Sequence, residues 1–323
     1  MTSILEKLAE AKRPNEKREL AEYISSHLNE FEEIVIKVFN SETNNDARPQ
    51  KQQILDLIDY LPSKISVPVL EKAIVDADPK IRVKTLQVTY RTRMDCLTSQ
   101  VSEILTDVNE EFEVRKWAVH ILSSCDPESF GKPLRKLAKN PDEDIRIRKE
   151  AVYALTKVTD DETIGALCAL LGDSQVELRR SGAWALSSIS STESINCLLA
   201  ALEDTDDEVR DWAIRALRDM DDARALQGLA DTLSRVETAE QVRMIRLMIE
   251  RRSEIVLRAI AELLTSENLD VKRTAAWAMG VSPYPPAASS LRDLTNDPDQ
   301  QTQDYAKMAL VRMGEFDSSD LRL

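Results

Sequence analysis

One nine-residue frame recurs along this chain at near-constant spacing, and that recurrence restricts the fold more than anything else in the sequence. It reads IRVKTLQVT from Ile81, VRKWAVHIL from Val114, IRKEAVYAL from Ile147 and LRRSGAWAL from Leu178. It continues as VRDWAIRAL from Val209, VRMIRLMIE from Val242, VKRTAAWAM from Val271 and TQDYAKMAL from Thr302. The intervals are 33, 33, 31, 31, 33, 29 and 31 residues. A worn copy begins near Pro49. The Val242 copy is degenerate, because Arg246 and Glu250 stand where small or apolar residues belong. Moving its frame back one residue restores the apolar pattern and loses the Arg.

With the first residue as position zero, positions 0, +4, +7, +8 and +11 form one apolar stripe of a 3.6-period helix, as in Val209, Ala213, Ala216, Leu217 and Met220. Position +4 is small in Ala118, Ala151, Gly182, Ala213, Ala275 and Ala306, which lets neighbouring helices approach closely. A second apolar-periodic stretch precedes each copy, such as TIGALCALLGD or SINCLLAALED. Each repeat is therefore an antiparallel pair, helix A, a tight turn, then helix B. Asp78, Asp144, Asp206 and Asp299 lie three residues ahead of position zero, where a carboxylate caps helix B and meets the positive end of its dipole. Pro79 and Pro298, beside two of these caps, suit a first helical position. The +1 cations (Arg82, Arg115, Arg148, Arg179, Arg210, Arg243, Lys272) are expected to form a structural ion-pair ladder between repeats.

The unit LLAALEDTDDEVRDWAIRAL resembles a HEAT repeat, particularly the short form of the phycobilin-lyase-like group, and the likeness covers roughly residues 50–314. The resemblance implies an all-α fold, a right-handed α-solenoid of armadillo-like type with about eight to nine helix pairs. It also implies that the A helices are convex and the B helices line the concave side. Residues 1–48 read as an N-terminal helical cap, with helices at 2–12 and about 15–39, residues 49–314 as the array and residues 315–323 as a polar tail. The Pro-rich VSPYPP at 281–286 is expected to bend or loosen the last unit.

Positions +2, +6 and +9 point away from the stripe, and on B helices they face the groove. There the chain places Lys116, Lys149, Arg180 and Arg273 at +2, and His120, Tyr153, Trp184, Arg215 and Trp277 at +6. Arg218 and Arg251 follow at +9. Four helices thus set a cation four residues before a ring, an arrangement that could equally stack within its own helix. The flanking Trp117 and Trp212, at +3, are expected to pack between B helices. Twelve-residue B-helix windows carry +17 in sum, so the rest of a chain of net charge −14 carries −31. The predicted groove is basic and ring-bearing on an acidic body.

These features favour a non-catalytic scaffold that holds an acidic segment of a partner protein between Lys116, His120, Lys149, Tyr153, Arg180, Trp184, Arg215, Arg218, Arg273 and Trp277. Two alternatives stand beside it. The resemblance implies a bilin-handling protein, and HEAT-like DNA glycosylases suggest nucleic-acid binding, which the overall acidity opposes. No phosphate loop, nucleophile elbow or HExxH is present, and two distant histidines cannot build the di-iron site of HEAT-like deoxyhypusine hydroxylase. Nothing nominates a catalytic residue, a metal or a cofactor. Cys96, Cys125, Cys168 and Cys197 are read as small buried hydrophobes in a reducing compartment. With no membrane-length apolar run and no signal-peptide pattern at the N-terminus, a cytoplasmic protein is expected.

Overall fold

The computed structural model describes residues 4–40, 44–93, 97–125, 127–220 and 222–315, and among these every regular element is a helix. By packing, the chain resolves into two compact units, Met1–Val158 and Thr159–Leu323. The fold is all-α and of the HEAT solenoid class. The expected polar tail lies outside the described residues apart from Glu315.

The first unit opens with α1 (Ile4–Glu10), α2 (Pro14–Ser26) and α3 (Leu28–Phe39). The long helix expected at about 15–39 is instead two, broken at His27, whose φ of −129° and ψ of 46° leave the helical region. The ring of His27 is occupied at that break. It stacks on Tyr23 at 4.0 Å and its Nδ1 lies 2.9 Å from the Tyr23 carbonyl. Then come α4 (Asn44–Asp56), α5 (Ser63–Ala73), α6 (Pro79–Thr92), α7 (Thr98–Thr106), α8 (Phe112–Cys125), α9 (Pro127–Lys139) and α10 (Ile145–Leu155). The second unit holds α11 (Asp161–Leu170), α12 (Val176–Ile189), α13 (Ile195–Ala201), α14 (Asp207–Asp219) and α15 (Ala223–Leu233). It continues with α16 (Thr238–Met248), α17 (Glu254–Glu262), α18 (Leu269–Val281), α19 (Ala288–Leu294) and α20 (Gln300–Met313). From α5 on, odd-numbered helices are A and even-numbered helices are B.

The sequence rules hold locally. Asp78, Asp144, Asp206 and Asp299 each accept a backbone N–H in the first turn of their B helix, from Lys80, Arg146, Val209 and Thr302 respectively. Pro79 opens α6, whereas Pro298 precedes the cap of α20 and takes no part in the helix. The stripe residues Val209, Ala213, Ala216 and Leu217 are fully buried, and each is worth about 1–3 kcal/mol of transfer free energy according to its size. At Gly182 a Cβ would sit 3.2 Å from the Leu170 Cβ and 3.3 Å from the Leu167 carbonyl, so α12 approaches α11 as closely as a side chain permits.

Two frames shift. In α4 Ala47, Lys51, Ile54 and Leu55 are buried, as is Ile58 in the 3-10 turn that follows; these are positions 0, +4, +7, +8 and +11 counted from Ala47, not from Pro49. Lys51 fills the small-residue position and survives there only because Asp76 receives its Nζ at 2.7 Å. In α16 the buried residues are Met244, Ile245, Met248 and Ile249, the frame moved back one residue. The VSPYPP stretch does not loosen its surroundings. Ser282 is 2 % exposed and donates to the Ile249 carbonyl at 3.5 Å, while Pro285–Ala287 form a short 3-10 turn into α19.

The cysteines also depart from expectation. Cys168 on α11 and Cys197 beside it on α13 are half-buried and joined in a disulfide, with Cα atoms 5.7 Å apart. Cys96 and the side chain of Cys125 lie outside the described residues. Among the described residues no helix is long and apolar enough to cross a membrane.

Candidate functional site: the outward face of the B helices

The +1 ladder is present and entirely structural. Arg82 reaches Glu110, Arg115 reaches Glu143, Arg179 reaches Asp204, Arg210 reaches Glu240 and Lys272 reaches Asp297, at 2.6–3.0 Å. Glu110, Glu143, Asp204 and Asp297 lie just ahead of the next B helix, and Glu240 lies in the first turn of α16. The arginines also donate to a carbonyl of the preceding turn or helix, as Arg115 does to Leu105 and Arg148 to Ala138, both at 2.9 Å. One side chain thus closes an orphan carbonyl and bridges to the next repeat.

Two of the +2 cations, Arg180 and Arg273, form a second set of rungs that sequence reasoning missed. Arg180 donates to both oxygens of Asp206, at 2.8 and 2.5 Å, and also meets Glu208. Arg273 does the same to Asp299, at 3.2 and 2.9 Å, with Asp270 at 3.7 Å. The partners are the caps of the next B helices. Those caps lie ahead of position zero, outside the windows whose charge summed to +17, so the predicted basic excess is largely neutralised where it arises. Arg218 does not point outward. It is 7 % exposed, held by Asp219 at 2.7 Å, by Glu250 and by the Leu247 carbonyl at 2.8 Å.

Hydrogen bonds from Arg180 hold the Asp206 carboxyl down at about 2, and those from Arg273 and Thr302 do the same for Asp299. A carboxylate whose folded pKa is depressed contributes stability above its unfolded pKa near 3.8, and that contribution fades as pH falls through about 2. Acidification from about pH 4 to pH 2 is therefore expected to lower the melting temperature of the second unit. The Arg180→Gln, Arg273→Gln double variant should lose less across that window. Parallel curves would remove the second ladder from the account.

In the first unit Lys116 turns to Glu113 at 3.4 Å, and His120 Nε2 lies 3.7 Å from Glu150. Burial lowers the His120 pKa, with Glu150 opposing and Lys116 assisting. Trp117 packs between B helices as expected, edge-on to Tyr90 at 5.9 Å and against His120 at 5.6 Å. Lys149 holds no ion pair with a described residue, and Tyr153 is exposed.

In the second unit the +6 residues Trp184, Arg215 and Trp277 are all half-buried. In the shifted frame of α16 the +6 residue is Leu247, and Arg246 moves out of the apolar stripe to +5, where it is exposed. Neither Arg215 nor Arg246 holds an ion pair with a described residue. A cleft of about 780 Å³ opens on α16, α18 and α20, lined by Val242, Arg246, Arg273, Trp277, Gln301 and Tyr305 among others. Arg246 and Tyr305 were not among the expected site residues. The signal for Arg246 lay in the one-residue slide that its own repeat requires.

Residues 98–187 and 165–244 match the family model of HEAT repeats, so the middle of the chain carries HEAT repeats. Among solved structures it is similar to an engineered protein, 20% identical over 98% of this chain and 100% of that one, with a TM-score of 0.43. It is similar to a chain of the Kap95:Nup1 complex, at 12% identity over 99% of this chain and 51% of that one, with a TM-score of 0.56. The yeast importin-β Kap95p itself gives 12% identity, 98% and 51% coverage and a TM-score of 0.54. The chain spans about half the length of those importin chains, and at this identity the likeness is one of fold. A comparison with curated proteins finds no match.

Proposed function

We propose that this chain is a non-catalytic protein-binding scaffold whose outward B-helix face receives an acidic segment of a partner protein. The observation that supports this is the small set of outward cations left over by the ladders, Arg215 and Arg246 within the second unit and, taken by itself, Lys149 within the first. Lys116, Arg180, Arg218 and Arg273 are each committed to an acid of the protein itself, and Arg251 donates to the Asp219 carbonyl at 2.5 Å. A few uncommitted cations among half-buried rings suit a short carboxylate-bearing segment. They suit a polyanion poorly, since duplex binders commonly contact about 6–10 phosphates. The Kap95:Nup1 complex is a case in which an array of this fold is held with another protein.

Cross-linking in native lysate followed by mass spectrometry should recover one or a few proteins with acidic segments. The triple charge reversal Lys149→Glu, Arg215→Glu, Arg246→Glu should cut that recovery about tenfold, because rim charges act chiefly through association. Thermal unfolding should stay unchanged, as no ion pair is lost. Recovery of the same proteins in the same amounts would refute the assignment.

A further inference from the structure

One seam of the second unit carries a rung of neither ladder. Between α16 and α18 the +1 position of the shifted frame is Val242, so Glu267, placed like the acids of other rungs, holds no ion pair with a described residue. The +2 cation, Arg243, turns backward to Asp207 and Asp211, at 3.1 and 2.7 Å. The cap it would otherwise meet is the neutral Asn268, whose side chain accepts from Asp270 and Val271. The cleft opens at this same seam, with Val242 and Asn268 among its lining residues.

We propose that the cleft is an anchoring pocket for a protein segment that lays a large apolar or aromatic side chain against Trp277 and places one carboxylate on Arg246. This rests on the scaffold reading and says which part of the face carries it. Trp277 on α18 and Tyr305 on α20 give the pocket two half-buried rings. Arg273, though on the wall, is spent on Asp299 and Asp270, so Arg246 is the lining cation left to take a carboxylate. Thr238 and Ala239, at the start of α16, add small side chains that leave room for the anchor. Packed helices lie about 8–10 Å apart and an extended chain advances about 3.3 Å per residue, so anchor and carboxylate stand about two to three residues apart. The missing rung keeps the mouth clear. A cation at 242 would reach for Glu267 across the seam, as Lys272 reaches for Asp297 one repeat later.

Random dodecapeptides displayed on phage, panned against the full chain, test this. The enriched pool should pair an aromatic residue or Leu with Asp or Glu at that spacing. For a synthetic peptide from the pool, Trp277→Ala should weaken binding by about 30-fold. Arg246→Gln should weaken it by about fivefold. Val242→Arg should weaken it comparably while the melting temperature holds or rises, which separates an obstructed pocket from a damaged fold. The proposal is overturned if no peptide enriches, or if enriched peptides bind Trp277→Ala and Val242→Arg like the parent. Loss confined to Lys149→Glu or Arg215→Glu also overturns it, yet leaves the scaffold reading in place. That reading fails separately, on unchanged partner recovery in the cross-linking experiment.

Discussion

Replacing Arg115 by alanine is expected to lower the stability of the first unit by about 3–5 kcal/mol, read as a shift of the urea midpoint at neutral pH. The guanidinium is 3 % exposed and donates to both oxygens of Glu143 at 2.7 Å and to the Leu105 carbonyl at 2.9 Å. Its hydrogen bonds are the main reason that the Glu143 carboxyl sits below the usual range. Removal leaves that carboxylate without its counter-charge and the carbonyl without a donor. The geometry also predicts a rescue. Arg115→Met with Glu143→Gln leaves no buried charge and should recover a good part of the loss, whereas Arg115→Met alone should not. A loss below about 1 kcal/mol for the alanine variant would mean that the rung behaves like an exposed surface pair.

The second large effect lies in the Cys168–Cys197 bond. It spans a sequence separation of 29 residues, and in the chain-entropy view a loop of that size limits the unfolded state by about 3–4 kcal/mol. Reductant should therefore lower the melting temperature of the second unit by roughly 10 °C. Cys168→Ser should reproduce the shift and make the protein indifferent to reductant. Alkylation without prior reduction should spare Cys168 and Cys197, identified by peptide mass. If both react freely, the bond is absent from the native protein and the two side chains return to the role of ordinary half-buried thiols.

Much of the architecture was legible because it depends on local spacing. Helix pairs, caps and small +4 residues follow from positions within about one turn of each other, where the chemistry is set by the 3.6-residue period. The +1 ladder was legible too, since a cation in a fixed slot of every repeat implies a fixed acceptor. The second ladder was not, because the partners of Arg180 and Arg273 lie 26 residues downstream and had already been given a task as caps. A carboxylate that both caps a helix and pairs across a joint looks, in one dimension, like a residue already explained. Arg218 failed for the same reason: Glu250 and the Leu247 carbonyl that bury it belong to the next repeat, the one whose frame slips. The break at His27 had no Pro or Gly to announce it. The disulfide was invisible because Cys168 and Cys197 become neighbours only when two A helices stack.

The ladders have a consequence for how such a chain can grow. In each rung the cation comes from one repeat and the acid from the repeat after it, so every unit is chemically directional, a cation on its leading side and an acid on its trailing side. An internal duplication of one unit would arrive already carrying its half of both new joints. Copy number could then change without any compensating substitution. The unit holding α16 is an exception, since a second copy of it would meet its successor with valine where a cation is needed, and the last unit, with Gln303 in that slot, is another. Length variation in arrays of this kind should then spare the joint between α16 and α18 and accumulate on either side of it.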